Sequence, residues 1–175
     1  MRLKYGVLAG LVVVGALTAA SCKSSPNQRT LGMGPVDTGP GSVEYVRRQL
    51  EGTWTLETFE AADATGQLRP VKATAKLTYD AYGNLAVTGR LLEPLPADRQ
   101  AVADAYLHYN GRITIDTAKK EFVMLGASGN VDPSLQSIVG TQMVRHYEVT
   151  ATELTVTYVD PAGKVGGRTV FKKGS

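Results

Sequence analysis

The sequence predicts an all-β fold: a small antiparallel up-and-down β-barrel with one or two short helices. Three observations predict it. Beyond residue 52 the apolar residues recur at every second position, which is the period of a strand with one buried face. The alternating segments are short and evenly spaced, and turns rich in Gly, Asp and Pro join them. This pattern suits a sandwich or a closed barrel, and closure is favoured because it leaves no strand edge exposed.

The first residues have the three parts of an export signal. Arg2 and Lys4 supply a positive start, and an apolar run without charge extends from Val7 to Ala20. Small residues then precede Cys22, the single cysteine of the chain. The apolar run is shorter than the ~20 residues that a helix needs to span a bilayer. We therefore expect a cleaved signal rather than a permanent membrane helix.

The segment Ala19-Ala20-Ser21-Cys22 resembles the lipobox of bacterial lipoproteins, with Ala19 at the position where Leu is usual. The resemblance implies that Cys22 receives a lipid and holds the protein on a membrane of the bacterial cell envelope, with its domain in the periplasm or at the cell surface. Because Lys23 rather than Asp follows the cysteine, the outer membrane is favoured by analogy. The alternative is an ordinary secretory signal, which would leave an unpaired cysteine in an exported protein.

Three regions follow from this pattern: a lipoprotein signal peptide at 1–21, a flexible linker at 22–42 and one barrel domain at 43–175. The linker is rich in Gly, Pro and Ser and has little to bury. Two of the 19 Lys and Arg residues lie in the leader, so the remaining chain is nearly neutral against its 16 Asp and Glu residues. Nothing in this balance indicates a nucleic-acid partner.

The elements of the domain follow in order. Residues 43–50 have helical spacing with Ser42 as N-cap, and Gly52 ends the helix. Alternation then predicts strands, in chain order, at 54–58, 75–79, 85–89, 109–115, 121–125, 143–149, 154–158 and around 170–171. Residues 96–106 have helical spacing, and Asp132-Pro133-Ser134 begins a helical turn. Both are expected outside the barrel or over its mouth, and the 127–140 loop is either a lid or a cap.

Four segments carry a resemblance to the bacterial lipocalin-like domain family, within the calycin-type barrels. They are Gly52-Thr53-Trp54, Leu77–Leu85, Ala105–Arg112 and Gly140–Val149, and they span most of the domain. The resemblance implies a lipocalin-like barrel that often contains an apolar cavity, and it does not fix a ligand. It also implies that Trp54 closes one end of the barrel under an arginine of a late strand. Arg145 and Arg168 are the candidates for that arginine.

Alternation gives a candidate set of ligand-binding residues on the inward face. The set is Tyr79, Val87, Tyr109, Ile113, Met124, Met143, Arg145, Tyr147 and Tyr158. Core packing explains the tyrosines as well as an apolar pocket with a few polar tips does. An inward Arg145 needs a carboxylate, carbonyl groups or an aromatic face beside it. It either braces the barrel or contacts the anionic head group of a ligand.

The sequence contains no recognisable catalytic constellation, so we expect no enzyme, no cofactor and no metal. His108 and His146 are predicted to point away from the barrel interior, and two histidines do not make a zinc site without several carboxylates. The leading hypothesis is a lipid-anchored envelope protein that binds a small hydrophobic molecule or lipid. A filled barrel that contacts another envelope component is the first alternative. An isomerase or cyclase acting in the cavity is the second.

Overall fold

The structure, a computed structural model of the chain, describes residues 37–96, 103–135, 142–159 and 162–174, and within these ranges it leaves out the side chains of residues 125–127, 134, 142 and 143. All described residues belong to one compact unit that spans Val36–Ser175. Cys22 and the rest of the predicted leader lie outside the described residues, so the export signal, the lipid anchor and the linker stay predictions. No helix in the described part of the chain has the length and apolar character needed to cross a membrane.

One α-helix and nine strands make up the described fold. The helix α1 is Val43–Leu50, and the strands are β1 Gly52–Ala62, β2 Leu68–Pro70, β3 Ala73–Tyr79, β4 Asn84–Leu91, β5 Tyr106–Asp116, β6 Glu121–Val131, β7 Gln142–Val149, β8 Glu153–Val159 and β9 Val165–Lys173. A 3₁₀ turn covers Pro133–Leu135. The predicted N-cap of α1 is present, because Ser42 Oγ accepts a hydrogen bond from the Tyr45 backbone N–H at 3.1 Å.

The strands form one antiparallel sheet that closes on itself. Each of β3 to β8 pairs with the next strand along the chain, β1 pairs with β3, and β1 also pairs with β9 over Trp54–Ala61 and Gly167–Lys173. The short β2 lies outside this circuit and pairs with the end of β1. The result is a closed up-and-down barrel of eight strands. The predicted all-β barrel is confirmed.

One end of the barrel, which we call the helix end, is closed by α1. Val46 and Leu50 of the helix pack against Trp54, Leu77 and Tyr79 of the barrel. Three turns, at 80–83, 117–120 and 150–152, lie at this end. In the first of them Asp80 accepts hydrogen bonds from Tyr82 and Asn84, which fixes the predicted β3–β4 turn.

The opposite end, which we call the loop end, carries the connections between β1 and β2, β4 and β5, β6 and β7, and β8 and β9. A second apolar cluster lies here, made of Ala61, Val71, Leu91, Leu95, Ala105 and Leu135. Leu95 and Leu135 come from connections rather than from strands. Apolar side chains of two connections therefore cover this end.

Four local features differ from what the sequence indicates. A β-bulge between Leu56 and Thr58 shifts the face of β1, so that Phe59 packs inward and Thr58 is exposed. The strand β2 was not predicted. The loop predicted at 127–140 begins later, because β6 continues to Val131. Ala105 and Tyr106 are not helical, since Tyr106 begins β5, while residues 97–102 of the same predicted helix lie outside the described residues.

Candidate ligand cavity

A partly open cavity of about 160 Å³ lies inside the barrel between its two apolar clusters. Its wall is predominantly apolar and includes Leu77, Leu85, Phe122, Met124 and Phe171 toward the helix end. At the loop end Leu91, Leu95 and Leu135 border it. An eight-stranded barrel has room for packed side chains or for one small ligand, and here packing is incomplete.

Small residues on two adjoining strands explain why space remains. Ala73 and Ala75 of β3 and Gly89 of β4 line one wall, where longer side chains would fill the interior. A Cβ at Gly89 would lie 3.0 Å from the Thr74 carbonyl oxygen, so the two strands approach too closely for a larger residue to fit without a shift. Gly166 and Gly167 of β9 also line the cavity. The cavity is thus encoded by small residues at inward positions.

The opposite wall carries a charged group, the guanidinium of Arg145 on β7. Its Cζ lies 4.7 Å from the centroid of the Tyr158 ring on β8, within the range of a cation–π contact. Its Nη1 donates a hydrogen bond to the Val144 carbonyl oxygen at 2.9 Å. Burial lowers the pKa of Arg145, and the neighbouring Tyr109 and Tyr158 oppose that change. An arginine stays protonated in proteins, so the wall carries a positive charge.

Tyr109 of β5 is the second polar group of interest on the wall. Burial raises the pKa of its phenol, and the positive charge of Arg145 acts in the opposite direction. The phenol is therefore neutral at physiological pH and has a proton to donate. Arg145, Tyr109 and Tyr158 thus add hydrogen-bond donors to a predominantly apolar lining.

At the helix end, polar contacts hold α1 against the barrel and close it to a ligand. Trp54 is fully buried, and its Nε1 donates to the Leu50 carbonyl oxygen at 2.7 Å. Lys173 Nζ lies 4.9 Å from the Trp54 ring centroid and donates to the Gln49 carbonyl oxygen at 2.8 Å. These bonds join α1 to both strands that meet at the barrel closure.

The cation over Trp54 corrects the expectation drawn from the family resemblance. Neither proposed arginine takes that place, because Arg145 contacts Tyr158 and Arg168 lies 3.8 Å from Glu60 in an exposed ion pair. The register explains the difference. Lys173 is the direct partner of Trp54 in the β1–β9 pair, so its side chain reaches the ring.

The structure places the predicted ligand-binding residues in two groups. Val87, Tyr109, Met124, Arg145 and Tyr158 line the cavity. Tyr79, Ile113 and Tyr147 are buried in the helix-end core with Trp54, and Tyr147 stacks on Phe122 with ring centroids 6.2 Å apart. The backbone of Met143 pairs with Met124, while its side chain lies outside the described residues. Alternation separated inward from outward residues but did not say how deep in the barrel each one lies.

Several cavity residues were missed by the sequence analysis. Phe59 was missed because a β-bulge moved it to the inward face. Leu95 and Leu135 lie in connections, where alternation gives no prediction. Two isolated leucines next to turn residues, Pro94-Leu95-Pro96 and Pro133-Ser134-Leu135, were the available signal.

The described ranges contain no group of three or more His, Cys, Asp and Glu side chains placed to hold a metal ion. His108 is exposed, and His146 lies on the outer surface with its Nε2 3.6 Å from Glu121 Oε1. Both histidines point away from the interior, as alternation predicted.

Comparison with solved structures gives distant likenesses in fold. No family model and no curated protein matches the chain. A lipocalin-like protein from Bacteroides uniformis is 15% identical, with a TM-score of 0.45, and the match covers 72% of this chain and 99% of that one. A redesigned β-barrel is 14% identical (TM-score 0.40; 74% and 95% covered). The protein Rv2717c from M. tuberculosis is 13% identical (TM-score 0.36; 79% and 100% covered).

Proposed function

We propose that this chain is an exported, lipid-anchored protein of the bacterial envelope whose barrel binds a small hydrophobic molecule, acting as a binding protein rather than an enzyme. The observation that carries the binding part is the apolar cavity of about 160 Å³ inside the barrel. The anchor rests on the sequence alone, through the signal that ends at Cys22.

The size of the cavity limits the ligand. An engineered apolar cavity of about 150 Å³ holds one benzene molecule, and most drug-sized ligands occupy pockets of about 300 Å³ or more. The proposed ligand is therefore a small molecule of about that size, or the end of a single lipid chain. A whole lipid does not fit in the cavity as it stands.

The binding part is tested with a reporter on the cavity wall. The chain has four methionines, and Met124 borders the cavity, so ¹³C-methyl labelling of methionine gives a simple spectrum with a signal inside the site. Full-length protein in lipid nanodiscs, where no detergent competes, is titrated with benzene, hexanol, short fatty acids and small isoprenoids. We expect the Met124 methyl resonance, assigned with Met124→Leu, to shift on saturation by at least one of them.

A matched pair of variants separates cavity binding from surface effects. Ala75→Leu on β3 adds a side chain that fills the cavity, and we expect it to abolish the shift. Ala86→Leu makes the same change on β4 between the inward Leu85 and Val87, so it faces outward and leaves binding intact. If no probe moves the Met124 signal, the barrel acts as a filled scaffold and the interaction hypothesis replaces this one.

The anchor has its own test. Cells that express the full chain are fed an alkyne fatty acid, and the protein is examined for the label. We expect label on the unmodified chain and none on Cys22→Ala. Equal labelling of both, or of neither, would remove lipidation at Cys22 and leave an ordinary secretory signal.

A further inference from the structure

The two opposite sides of the cavity differ in the chemistry of their side chains. Arg145 on β7 and Tyr158 on β8 lie on one wall, and Ala73, Ala75 and Gly89 on β3 and β4 line the cavity as well. In the circuit of eight strands, the pair β7–β8 lies opposite the pair β3–β4. One side therefore presents the cation of Arg145 and the phenol of Tyr158. The side facing it presents mainly small residues, and Thr74 and Arg90, which are both exposed, border the cavity as well.

The chemistry of the polar side restricts what can contact it. A guanidinium has five N–H donors and no acceptor, so a ligand group that bonds to it has to be an acceptor. The planar fork of the guanidinium fits a carboxylate better than any neutral group, because two parallel charge-assisted bonds form. Tyr109 lines the same cavity, and its protonated phenol adds a neutral donor to the lining.

We infer that the ligand of the cavity is a small monocarboxylic acid, bound with its carboxylate at Arg145 and its hydrocarbon tail against Ala73, Ala75 and Gly89. The inference rests on the proposed binding function and narrows it from hydrophobic molecules in general to short anionic amphiphiles. Arg145 then sets specificity, and the apolar wall sets the length of the tail. A cavity of about 160 Å³ limits that tail to a few carbons.

The decisive experiment compares two probes of equal shape and different charge, hexanoate and hexanamide. Both are titrated into full-length ¹³C-methyl-methionine protein in nanodiscs, and the Met124 resonance reports occupancy of the cavity. We expect hexanoate to bind about 10- to 100-fold more tightly, which is the range for a hydrogen bond to a charged group. Equal affinities would overturn the carboxylate inference while leaving the binding function in place. No shift with either probe, or with hexanol, would remove the binding function itself.

Two variants locate the effect on Arg145. Arg145→Gln is expected to weaken hexanoate binding to the level of hexanamide and to leave hexanamide binding unchanged, whereas Arg145→Lys keeps part of the preference. Arg168→Gln removes a cation from the outer surface of the next-but-one strand and should change neither affinity. If Arg145→Gln does not fold, the probe pair on the unmodified protein still decides. If Arg145→Gln folds and keeps the preference for hexanoate, the assignment to Arg145 is wrong.

Discussion

The two ends of the barrel are closed by different means. At the helix end a regular helix covers the core, and two side-chain-to-backbone hydrogen bonds, from Trp54 and Lys173, hold it in place. At the loop end, apolar side chains such as Leu95 and Leu135 cover the barrel from irregular connections. Leu95 and Leu135 line the cavity, whereas α1, Trp54 and Tyr79 do not.

With its two ends closed differently, a small barrel combines stability with access for a ligand. Directional hydrogen bonds and a packed helix fix one end, whereas the other end depends on contacts that are apolar and have no required geometry. The apolar contacts that the connections make are easier to open locally than the hydrogen-bonded helix that covers the other end. Fewer interactions are lost at once when they open. We therefore expect a ligand to enter and leave at the loop end.

The largest predicted effect comes from truncating the centre of the helix end. Trp54→Ala removes a fully buried ring together with its hydrogen bond to Leu50 and its contact with Lys173. We expect the free energy of unfolding to fall by about 3–5 kcal/mol. Leu135→Ala at the loop end should cost only about 2 kcal/mol, because Leu135 already borders a cavity and has fewer contacts to lose. Urea denaturation followed by far-UV circular dichroism measures both, and a loss for Leu135→Ala as large as that for Trp54→Ala would refute the comparison.

The strand that leads to the loop end has one position where the backbone requires glycine. Gly129 of β6 has a φ of +150°, and a Cβ there would overlap the carbonyl oxygen of His108 and the Cα of Tyr109. Since those are backbone atoms of the paired strand, they cannot rotate away. We expect Gly129→Ala to lower the free energy of unfolding by about 2–3 kcal/mol.

Gly163 supplies the control for this substitution. Its φ is +82°, but no described atom lies within 4 Å of the position of an added Cβ. Gly163→Ala should therefore show only the cost of the left-handed backbone, about 1 kcal/mol. Similar losses in the two variants would mean that conformation rather than close contact decides at residue 129.

A smaller effect on stability is expected from two aspartates, one in a turn at each end of the barrel. At the loop end Asp63 accepts hydrogen bonds from Thr65, Gln67 and Arg69, and the bonds from the Thr65 hydroxyl and the Arg69 guanidinium are the main reasons that its pKa lies well below the usual range. At the helix end Asn84 has the same effect on the pKa of Asp80. A lowered pKa means that the stabilisation is complete above about pH 4 and is lost as the pH falls toward the folded-state pKa.

Asparagine substitutions test this pH dependence. We expect Asp63→Asn and Asp80→Asn each to flatten the fall of Tm between pH 4 and pH 2, since the variants have no carboxylate to protonate at that turn. Thermal unfolding at a series of pH values measures the slope. A slope in Asp63→Asn identical to that of the unmodified chain would show that this turn does not contribute to acid sensitivity.

The barrel itself was predictable because alternation, turn residues and spacing agree over most of the domain. The strands from β3 to β5 and from β7 to β9 lie where the period of two indicated, with bounds that differ by a few residues. The face of Phe59 was not predictable, because a bulge depends on pairing between β1 and β9, which are far apart in the chain.

For the candidate site, the sequence predicted which residues face inward but not how deep in the barrel they lie. Alternation tells which residues face inward, and it placed Arg145, Tyr109 and Tyr158 there. Depth along the barrel depends on strand tilt and register, which one sequence does not reveal. Tyr79 and Tyr147 therefore entered the predicted site although they pack in the helix-end core.

The smallest predicted change in the free energy of unfolding is that of Tyr79→Phe. Whether this substitution stabilises or destabilises the protein is the informative result. Its hydroxyl is buried beside the Arg47 guanidinium, yet no described donor or acceptor meets it in hydrogen-bonding geometry. Burial raises the pKa of the phenol, and the charge of Arg47 and the contact of its guanidinium with the hydroxyl oppose this. Because the hydroxyl lost its water on folding and gained only a poorly aligned contact with Arg47 in return, Tyr79→Phe should raise the free energy of unfolding by about 1 kcal/mol. Tyr106→Phe is the matched change at a hydroxyl that bonds to Asn130 on the surface, where we expect a loss of less than about 0.5 kcal/mol. Destabilisation by Tyr79→Phe would mean that Arg47 and Tyr79 form a real tie across the helix end, and the contrast between the two ends would then be greater than the described hydrogen bonds indicate.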